Sequence, residues 1–307
     1  MKTDKAQMTA VIIGAVESTQ VAIAAFARSD WNLALVVTLP PEAHSRHSDY
    51  VDLGPDAAKA GAALHHTRQV NNAETIAAIR AVNADYIFVI GWSQICGPEF
   101  CAIAPGRTVG YHPAAIPRLR GRAVIPWTIL LDEKITAGSL FWIDDGVDSG
   151  PLLAQEFFHV APDECAESLY AKHMQALASM MDGALVAIAG GSPPRKVQDE
   201  RCATYATKRT KEDGLIDWSQ PAVEIDRLVR AVGRPYPGAF IPVPGGQVTI
   251  WCSALPADGP HQEGQPGEVV EIDGASLTVA TGDGLLRLEE WEGPEGYRPV
   301  KHAVLGN

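Results

Sequence analysis

The first two thirds of the chain alternate between continuous apolar runs and amphipathic segments, a pattern that predicts buried strands separated by helices. The apolar runs lie at residues 10–14, 33–38, 86–91, 108–112 and 136–143. The helical patterns lie at residues 19–28, 73–82, 124–131 and 169–188. Strands that are apolar throughout, with helices between them, indicate a parallel-rich sheet covered on both faces. The sequence therefore predicts an α/β domain over residues 1–190.

The pattern changes after Gly190. Residues 191–215 are polar and rich in Gly and Pro, which predicts an interdomain linker. After one short helical pattern at 223–232, four brief apolar runs predict strands; they lie at 248–252, 267–272, 276–280 and 285–289. Turn pairs such as Gly245-Gly246 separate them. Residues 216–307 are therefore predicted to form a small β-barrel-like domain.

Composition and charge restrict the function classes. Of the 307 residues, 46% are hydrophobic and 20% charged, and the formal net charge is −12. Such a balance argues against a protein whose main task is to bind a phosphate backbone. The five cysteines form no CxxC pair, which predicts free thiols in a reducing cytoplasm. No signal peptide or membrane span is predicted.

Common cofactor motifs are missing. The first strand is followed by Gly14 alone instead of GxGxxG, so a dinucleotide site is not predicted, and neither a P-loop nor a GxSxG motif occurs. The pairs His44/His47 and His65/His66 have no second cluster at metal-site spacing, so they are interpreted as loop histidines and no metal is expected.

The stretch GYHPAAIPRLRGR, residues 110–122, places a histidine directly after a predicted strand. Open α/β sheets bind ligands at such strand ends. Pro113 and Pro117 stiffen the loop because proline fixes φ. The three arginines of the stretch suit an anionic donor or substrate. His112 is thus a candidate catalytic residue, with a structural histidine as the alternative.

The second candidate segment is FWIDDGVDSGPLL, residues 141–153, in which three carboxylates follow another predicted strand. They belong to Asp144, Asp145 and Asp148. One interpretation is a turn that uses Asp and Gly for their backbone tolerance. The other is that one carboxylate faces His112 and orients its imidazole for proton transfer.

Together the two segments resemble the formyltransferase family that uses 10-formyltetrahydrofolate. Members share a His-Pro…Leu-Leu-Pro…Arg-Gly stretch and a later Asp-x-Gly loop, which stand here as HPAAIPRLRG and VDSGP. Residues 92–155 look closest to the hydrolase domain of 10-formyltetrahydrofolate dehydrogenase. RGRAVIPW (120–127) is similar to sugar N-formyltransferases, and residues 203–222 and 236–240 are similar to methionyl-tRNA formyltransferase.

The resemblance implies a Rossmann-like N-terminal domain, an OB-like C-terminal barrel and 10-formyltetrahydrofolate as co-substrate. Carried over by motif, it implies His112 as the catalytic histidine and Asp148 as its supporting carboxylate. The implied folate contacts are Gln94, Ile95, Cys96, Arg122, Asp144, Asp145, Gly146, Val147 and Asp148.

The sequence departs from the family at Gly110, where most members carry an asparagine two residues before the histidine. That amide would stabilise the oxyanion of the tetrahedral intermediate, and losing one such donor costs about 10²- to 10³-fold in rate. The hydrolase domain of the dehydrogenase also lacks it. Ala114 replaces a usual serine. A protonated His112, a backbone N–H or an ordered water would have to serve the oxyanion instead.

Four hypotheses about the function remain open, and three of them differ in the formyl acceptor. The first is an amine of a small molecule such as an amino sugar, with the C-terminal domain acting as a cover or a homodimer surface. The second is water, which would make the protein a hydrolase that releases formate. Methionyl-tRNA ranks below both, because residues 38–66 carry a formal charge of −2 where a basic insertion would be needed. The fourth is a folate-binding protein without activity.

Overall fold

The chain forms two compact units. The computed structural model describes residues 7–46, 49–256 and 264–306. The first unit contains Met1–Val124, Ile135–His159 and Ala171–Thr207, and the second contains Ile125–Lys134, Val160–Tyr170 and Lys208–Asn307. His47, considered above as a loop histidine, lies outside the described residues.

A seven-stranded sheet is the centre of the first unit. Its strands are β1 (Thr9–Ile13), β2 (Asn32–Thr38), β3 (Ala63–His66), β4 (Tyr86–Val89), β5 (Thr108–His112), β7 (Ile135–Trp142) and β8 (Leu152–His159). Their order in the sheet is β3-β2-β1-β4-β5-β7-β8. The first five run parallel, and β7 and β8 add antiparallel at one edge. The parallel-rich α/β fold is confirmed.

Apolar side chains cover both faces of this sheet. The helices in chain order are α1 (Glu17–Ala27), α2 (Gly54–Ala60), α3 (Ala73–Val82), α4 (Pro98–Cys101), α5 (Val124–Leu130) and α6 (Ala166–Ala189). On one face, Phe26 of α1 and Leu177 of α6 pack with Phe88. On the other, Ile79 of α3 and Phe100 of α4 pack with Ile87. Because both faces are buried, the central strands are apolar throughout.

The second unit contains an antiparallel sheet, helix α7 (Ala222–Val232), most of α5 and the first turn of α6. The strands are β10 (Ala239–Val243), β11 (Gly246–Ala254), β12 (Val269–Asp273), β13 (Ser276–Ala280) and β14 (Leu285–Glu292). They are ordered β10-β11-β14-β13-β12. Helix α7 buries Ile225, Val229 and Val232. The all-β character of this region is confirmed.

The segment predicted as a linker, 191–215, carries regular structure. Residues up to Thr207 belong to the first unit, where β9 (Tyr205–Ala206) pairs in parallel with β6 (Arg120–Gly121). Short 3₁₀ helices form at Glu200–Cys202 and Lys211–Gly214. Composition does not reveal these contacts, because the partners are distant in the sequence: Gln198 binds Gly150, 48 residues away, and Thr204 binds Leu119, 85 residues away. Within the described residues, no helix has the length and apolarity needed to cross a membrane.

Candidate active site

His112 ends β5, the strand that joins the parallel and antiparallel parts of the sheet. Its ring is buried, and its Nε2 lies 2.7 Å from the carbonyl oxygen of Leu119. The loop after β5 is held from the sheet below. Ser139 donates to the carbonyl of Ala114 at 2.7 Å, and Gln155 donates to the carbonyl of Ile116 at 2.9 Å. The histidine is therefore fixed by its own strand and by a braced loop.

Asp148 lies in the loop between β7 and β8. Its Oδ2 is 3.5 Å from Nδ1 of His112 and accepts a hydrogen bond from the backbone N–H of Gly121 at 2.8 Å. The residue has φ +50, in the left-handed region that non-glycine residues rarely adopt. The structure thus brings His112 and Asp148 together, as the sequence predicted.

This geometry suits an imidazole that exchanges a proton. Both ring nitrogens face oxygen acceptors, Leu119 O on one side and the Asp148 carboxylate on the other. A neutral ring can donate from Nε2 alone, whereas a doubly protonated ring donates to both. The carboxylate also restricts the orientation of the ring. The pair therefore has the parts of a general acid–base group.

Position 110, where most family members carry an asparagine, is closed to a side chain. A Cβ built on Gly110 would lie 2.8 Å from Cζ of Phe141 and 3.2 Å from Cγ1 of Ile143. Gly110 pairs with Phe141 across the two strands, and the phenyl ring fills the space above the glycine. The oxyanion donor cannot come from this position without rearrangement of Phe141. Gly110 therefore serves the packing of the site.

We expect Gly110→Asn to lower the free energy of unfolding by about 1–3 kcal/mol, the usual cost of overpacking a core. The substitution should not increase the rate of formyl transfer. Urea unfolding measures the first effect. Adding Phe141→Ala to the same chain should recover part of the loss because it opens the space. Gly183→Asn is the control, since a Cβ there meets no atom within 4 Å. Greater activity of Gly110→Asn would contradict this packing role.

The predicted folate residues Gln94–Cys96 lie in the loop after β4, at the carboxyl end of the parallel strands. The Gln94 amide donates to Arg68 O at 2.7 Å, and Asn71 holds the backbone of Ile95. The Ile95 side chain is 77% exposed. Burial raises the pKa of Cys96 to about 12, so its thiol stays protonated. Ile95 therefore offers an apolar surface, whereas Cys96 is part of the packing.

The predicted folate loop 144–148 is partly closed on itself. Asp144 accepts from the Ser149 hydroxyl at 2.8 Å and from Gly146 N at 3.1 Å. Asp145, Gly146 and Val147 are exposed. The loop thus presents one apolar side chain and one unengaged acid to solvent.

The arginines of the 110–122 stretch differ in environment. Arg120 is fully buried and pairs with Glu200 at 2.6 Å, so the expectation that it serves an anionic ligand is wrong. The Arg122 side chain is exposed and makes no hydrogen bond or ion pair to the part of the chain that the structure describes. Arg122 is therefore available to a ligand.

Sequence reasoning missed Gln198 and Thr204. The Gln198 amide donates to Asp148 O at 2.8 Å, and Thr204 Oγ1 accepts from Leu119 N at 2.9 Å. Thr204 stands in the stretch 203–222 that resembles methionyl-tRNA formyltransferase, but the resemblance assigned it no role, and Gln198 stands in none of the matched stretches. Among residues 7–46, 49–256 and 264–306, no group of three or more His, Cys, Asp or Glu side chains could hold a metal.

Comparison with curated proteins finds relatives along the whole chain. Methionyl-tRNA formyltransferase from Agathobacter rectalis is 29% identical over 285 residues, which cover 92% of this chain and 91% of that protein. The enzyme of the same name from Ruminiclostridium cellulolyticum is 25% identical over 303 residues, with 98% and 97% covered.

Comparison with solved structures shows the same fold at lower identity. WlaRD, a sugar 3N-formyl transferase solved in the presence of dTDP and 5-N-formyl-THF, matches with a TM-score of 0.68 and 17% identity; the match covers 92% of this chain and 97% of that one. HypX from Aquifex aeolicus matches with a TM-score of 0.67 and 18% identity, covering 94% of this chain and 46% of that one.

Two family models together span most of the sequence. The model described as formyl transferase matches residues 7–185, and the model described as formyl transferase, C-terminal domain, matches residues 208–301. The first alone includes more than half of the chain, together with His112, Asp148 and the strands that carry them. The chain belongs to the formyl transferase family.

Proposed function

We propose that this protein transfers the formyl group of 10-formyltetrahydrofolate to an amine, with His112 as the general acid–base and Asp148 as the carboxylate that orients it. The observation that carries the proposal is the buried imidazole whose two nitrogens face Leu119 O and the Asp148 carboxylate. The pair lies at a strand end of the sheet, where α/β proteins bind their ligands.

The proposed reaction balances without a further reagent. The acceptor nitrogen attacks the formyl carbon and forms a new C–N bond. The bond between that carbon and N10 of the folate then breaks, and the proton lost by the acceptor amine ends on N10. His112 carries this proton on Nε2, which exchanges its contact with Leu119 O first for the acceptor amine and then for N10, while the Asp148 carboxylate stabilises the imidazolium formed in between. Because Phe141 fills the space above Gly110, the oxyanion is left to protonated His112, a backbone N–H or a water.

Two exposed apolar side chains and one exposed arginine support the folate assignment. Ile95 and Val147, which are 77% and 46% exposed, would pack on the flat pteridine. The Arg122 guanidinium, which pairs with no group among the described residues, suits a carboxylate of the folate tail. Gln94, Cys96, Asp144 and Gly146 would contribute mainly by shaping the two loops, and Asp145 would offer its exposed carboxylate. HypX has been solved in complex with tetrahydrofolic acid, and WlaRD with 5-N-formyl-THF.

Methionyl-tRNA is the acceptor that the sequence comparisons favour. Both curated relatives described above carry that activity in their names and match over more than 90% of their length. The sugar enzymes share the fold at 15–17% identity. This supports a tRNA acceptor more strongly than an amino-sugar acceptor.

A small-molecule amine is the second candidate, and the charge distribution favours it. Residues 208–307 contain nine Lys and Arg against fifteen Asp and Glu, a formal charge of −6. The remaining residues also sum to −6, and segment 38–66 to −2. Since binding to a phosphate backbone depends on neutralisation by Lys and Arg, neither half of the sequence is suited to hold a tRNA stem.

One assay separates these acceptors. The protein is incubated with 10-formyltetrahydrofolate alone, with methionyl-tRNA, and with a panel of small amines that includes nucleotide-linked amino sugars. We expect turnover only when an amine is added. Turnover with methionyl-tRNA that falls steeply with salt would select the first candidate. Formate release without any amine would indicate a hydrolase, and no turnover in any arm would contradict the proposed function.

A further inference from the structure

Residues 196–206 lie between the two family-matched regions, 7–185 and 208–301. They also lie in the segment whose composition predicted a linker. Yet the chain here contacts both loops that carry the candidate catalytic pair. Lys196 pairs with Leu152 at the start of β8, and β9 pairs with β6. We propose that this segment positions the Asp148 carboxylate against His112, with Gln198 as the positioning residue; the proposal rests on the proposed function.

Gln198 uses both ends of its amide. Its Nε2 donates to Asp148 O at 2.8 Å and to Gly150 O at 2.7 Å, so it fixes the backbone on both sides of Ser149. Its Oε1 accepts from Nη2 of Arg120 at 2.9 Å and from Nε at 3.2 Å. The residue is 5% exposed. A buried amide with its donors and acceptor satisfied holds one orientation, because any rotation leaves a buried polar group unpaired.

Arg120 anchors this amide. Its guanidinium has no exposure and also binds the Glu200 carboxylate at 2.6 Å and the Tyr205 hydroxyl at 3.0 Å. Glu200 and Tyr205 belong to the same 196–206 segment. The segment therefore reaches the Asp148 loop through Gln198, and it reaches Arg120 through three of its side chains.

The opposite side of Asp148 is positioned by the same segment. Thr204 accepts from Leu119 N and donates its own N–H to Pro117 O at 3.0 Å, and Thr204 O accepts from Arg120 N. Gly121, which follows Arg120 in the sequence, donates its backbone N–H to the Asp148 carboxylate. Gly121 has φ +106, and a Cβ there would lie 2.4 Å from Ala206 O, so only glycine allows this approach. The carboxylate is thus held between Gln198 on its backbone and Gly121 on its side chain.

This arrangement explains how a non-glycine residue keeps φ +50 at the site. Asp148 retains its left-handed backbone because Gln198 binds two carbonyls in the same turn. Removal of the two N–H donors should let the loop relax. The carboxylate would then leave both Gly121 and the imidazole of His112.

The test uses the full chain with Gln198→Glu, which keeps acceptors for Arg120 but loses both donors. We expect kcat for formyl transfer to fall by between about 10- and 100-fold, since a displacement of about 1 Å in a catalytic group can cost ~10². The KM for 10-formyltetrahydrofolate should change much less. Amide exchange at Gly121 should become faster, because its acceptor has moved. Gln198→Met removes every contact of the amide and serves as the second variant.

Arg201→Gln is the matched control, because Arg201 lies in the same segment and pairs with Asp199 on the surface. It should keep wild-type kcat and Gly121 exchange. Wild-type exchange at Gly121 in both Gln198 variants, or faster exchange with unchanged kcat, would overturn the inference. If the wild-type protein shows no formyl transfer, the proposed function fails while the exchange of Gly121 still decides whether Gln198 positions Asp148.

Discussion

His112→Asn should lower the rate of formyl transfer by about 10²- to 10⁴-fold, the range that general acid–base catalysis contributes. Asparagine places its amide near the position of Nδ1, beside Asp148, but it cannot take up and release a proton near neutral pH. The loss should appear in kcat, because the proposed role of the imidazole is to move a proton during the reaction and not to supply the surface that binds the folate.

The measurement is single-turnover transfer with the donor at saturation, together with equilibrium binding of a non-reactive folate. Binding should remain within a few-fold of wild type. His159→Asn is the control, because His159 is an exposed histidine at the end of β8 in the same unit. An unchanged rate in His112→Asn would remove the imidazole from the mechanism, whereas equal losses in rate and folate binding would assign it to substrate binding.

In the first unit, the strands that sequence reasoning found are those buried on both faces. β1, β2, β4 and β5 are continuous apolar runs, and Thr108–His112 was predicted with its observed bounds. β3 and β8 were missed because they are edge strands. The sequence of β8, LLAQEFFH, leaves Phe157 60% exposed and mixes polar with apolar residues. Hydrophobic periodicity reports burial, so a half-exposed edge strand gives a weak signal.

The residues of the candidate site could be predicted where they belong to recognisable sequence motifs. His112 and Asp148 could be found because each follows a strand and matches a family pattern. The residues that support the site could not be found in this way, since Gln198 contacts Gly150, 48 positions away, and Thr204 contacts Leu119, 85 positions away. The closure of position 110 was equally hidden, because it depends on Phe141 in the neighbouring strand. Which residues face each other on neighbouring strands depends on how the strands are aligned, and the composition of the strands does not specify this alignment.

A second buried histidine, His173, makes the stability of the fold sensitive to acid. It lies on α6 with no solvent exposure, and its Nδ1 is 3.3 Å from the Tyr111 hydroxyl on the sheet face opposite His112. Its Nε2 has no hydrogen-bond partner among the described residues. Burial, reinforced by the nearby charge of His112, lowers the pKa of His173 to about 3. The ring is therefore neutral in the folded protein.

The direction of the effect follows from proton linkage. In the unfolded chain a histidine titrates near pH 6.5. Between about pH 6.5 and 3, the imidazole is therefore protonated in the unfolded state and neutral in the folded state. Stability that is present above pH 6.5 is lost as the pH falls through this window. The loss is about 1.4 kcal/mol per pH unit, which makes it one of the larger single-residue contributions.

His173→Leu should remove this loss, and the comparison with wild type isolates it from carboxylates that also titrate in acid. Unfolding by urea is measured at pH 7, 6, 5 and 4.5 for both proteins. Below pH 6, the free energy of unfolding should fall less steeply in the variant than in the wild type, and the two slopes should differ by about 1.4 kcal/mol per pH unit.

The variant keeps one of the two contacts between Tyr111 and residue 173, because the Tyr111 hydroxyl still donates to the backbone carbonyl of residue 173. His159→Leu, with an exposed side chain, should keep the wild-type slope. Parallel pH profiles for wild type and His173→Leu would mean that the ring is protonated, or hydrated, inside the fold, because only a histidine held neutral produces the difference.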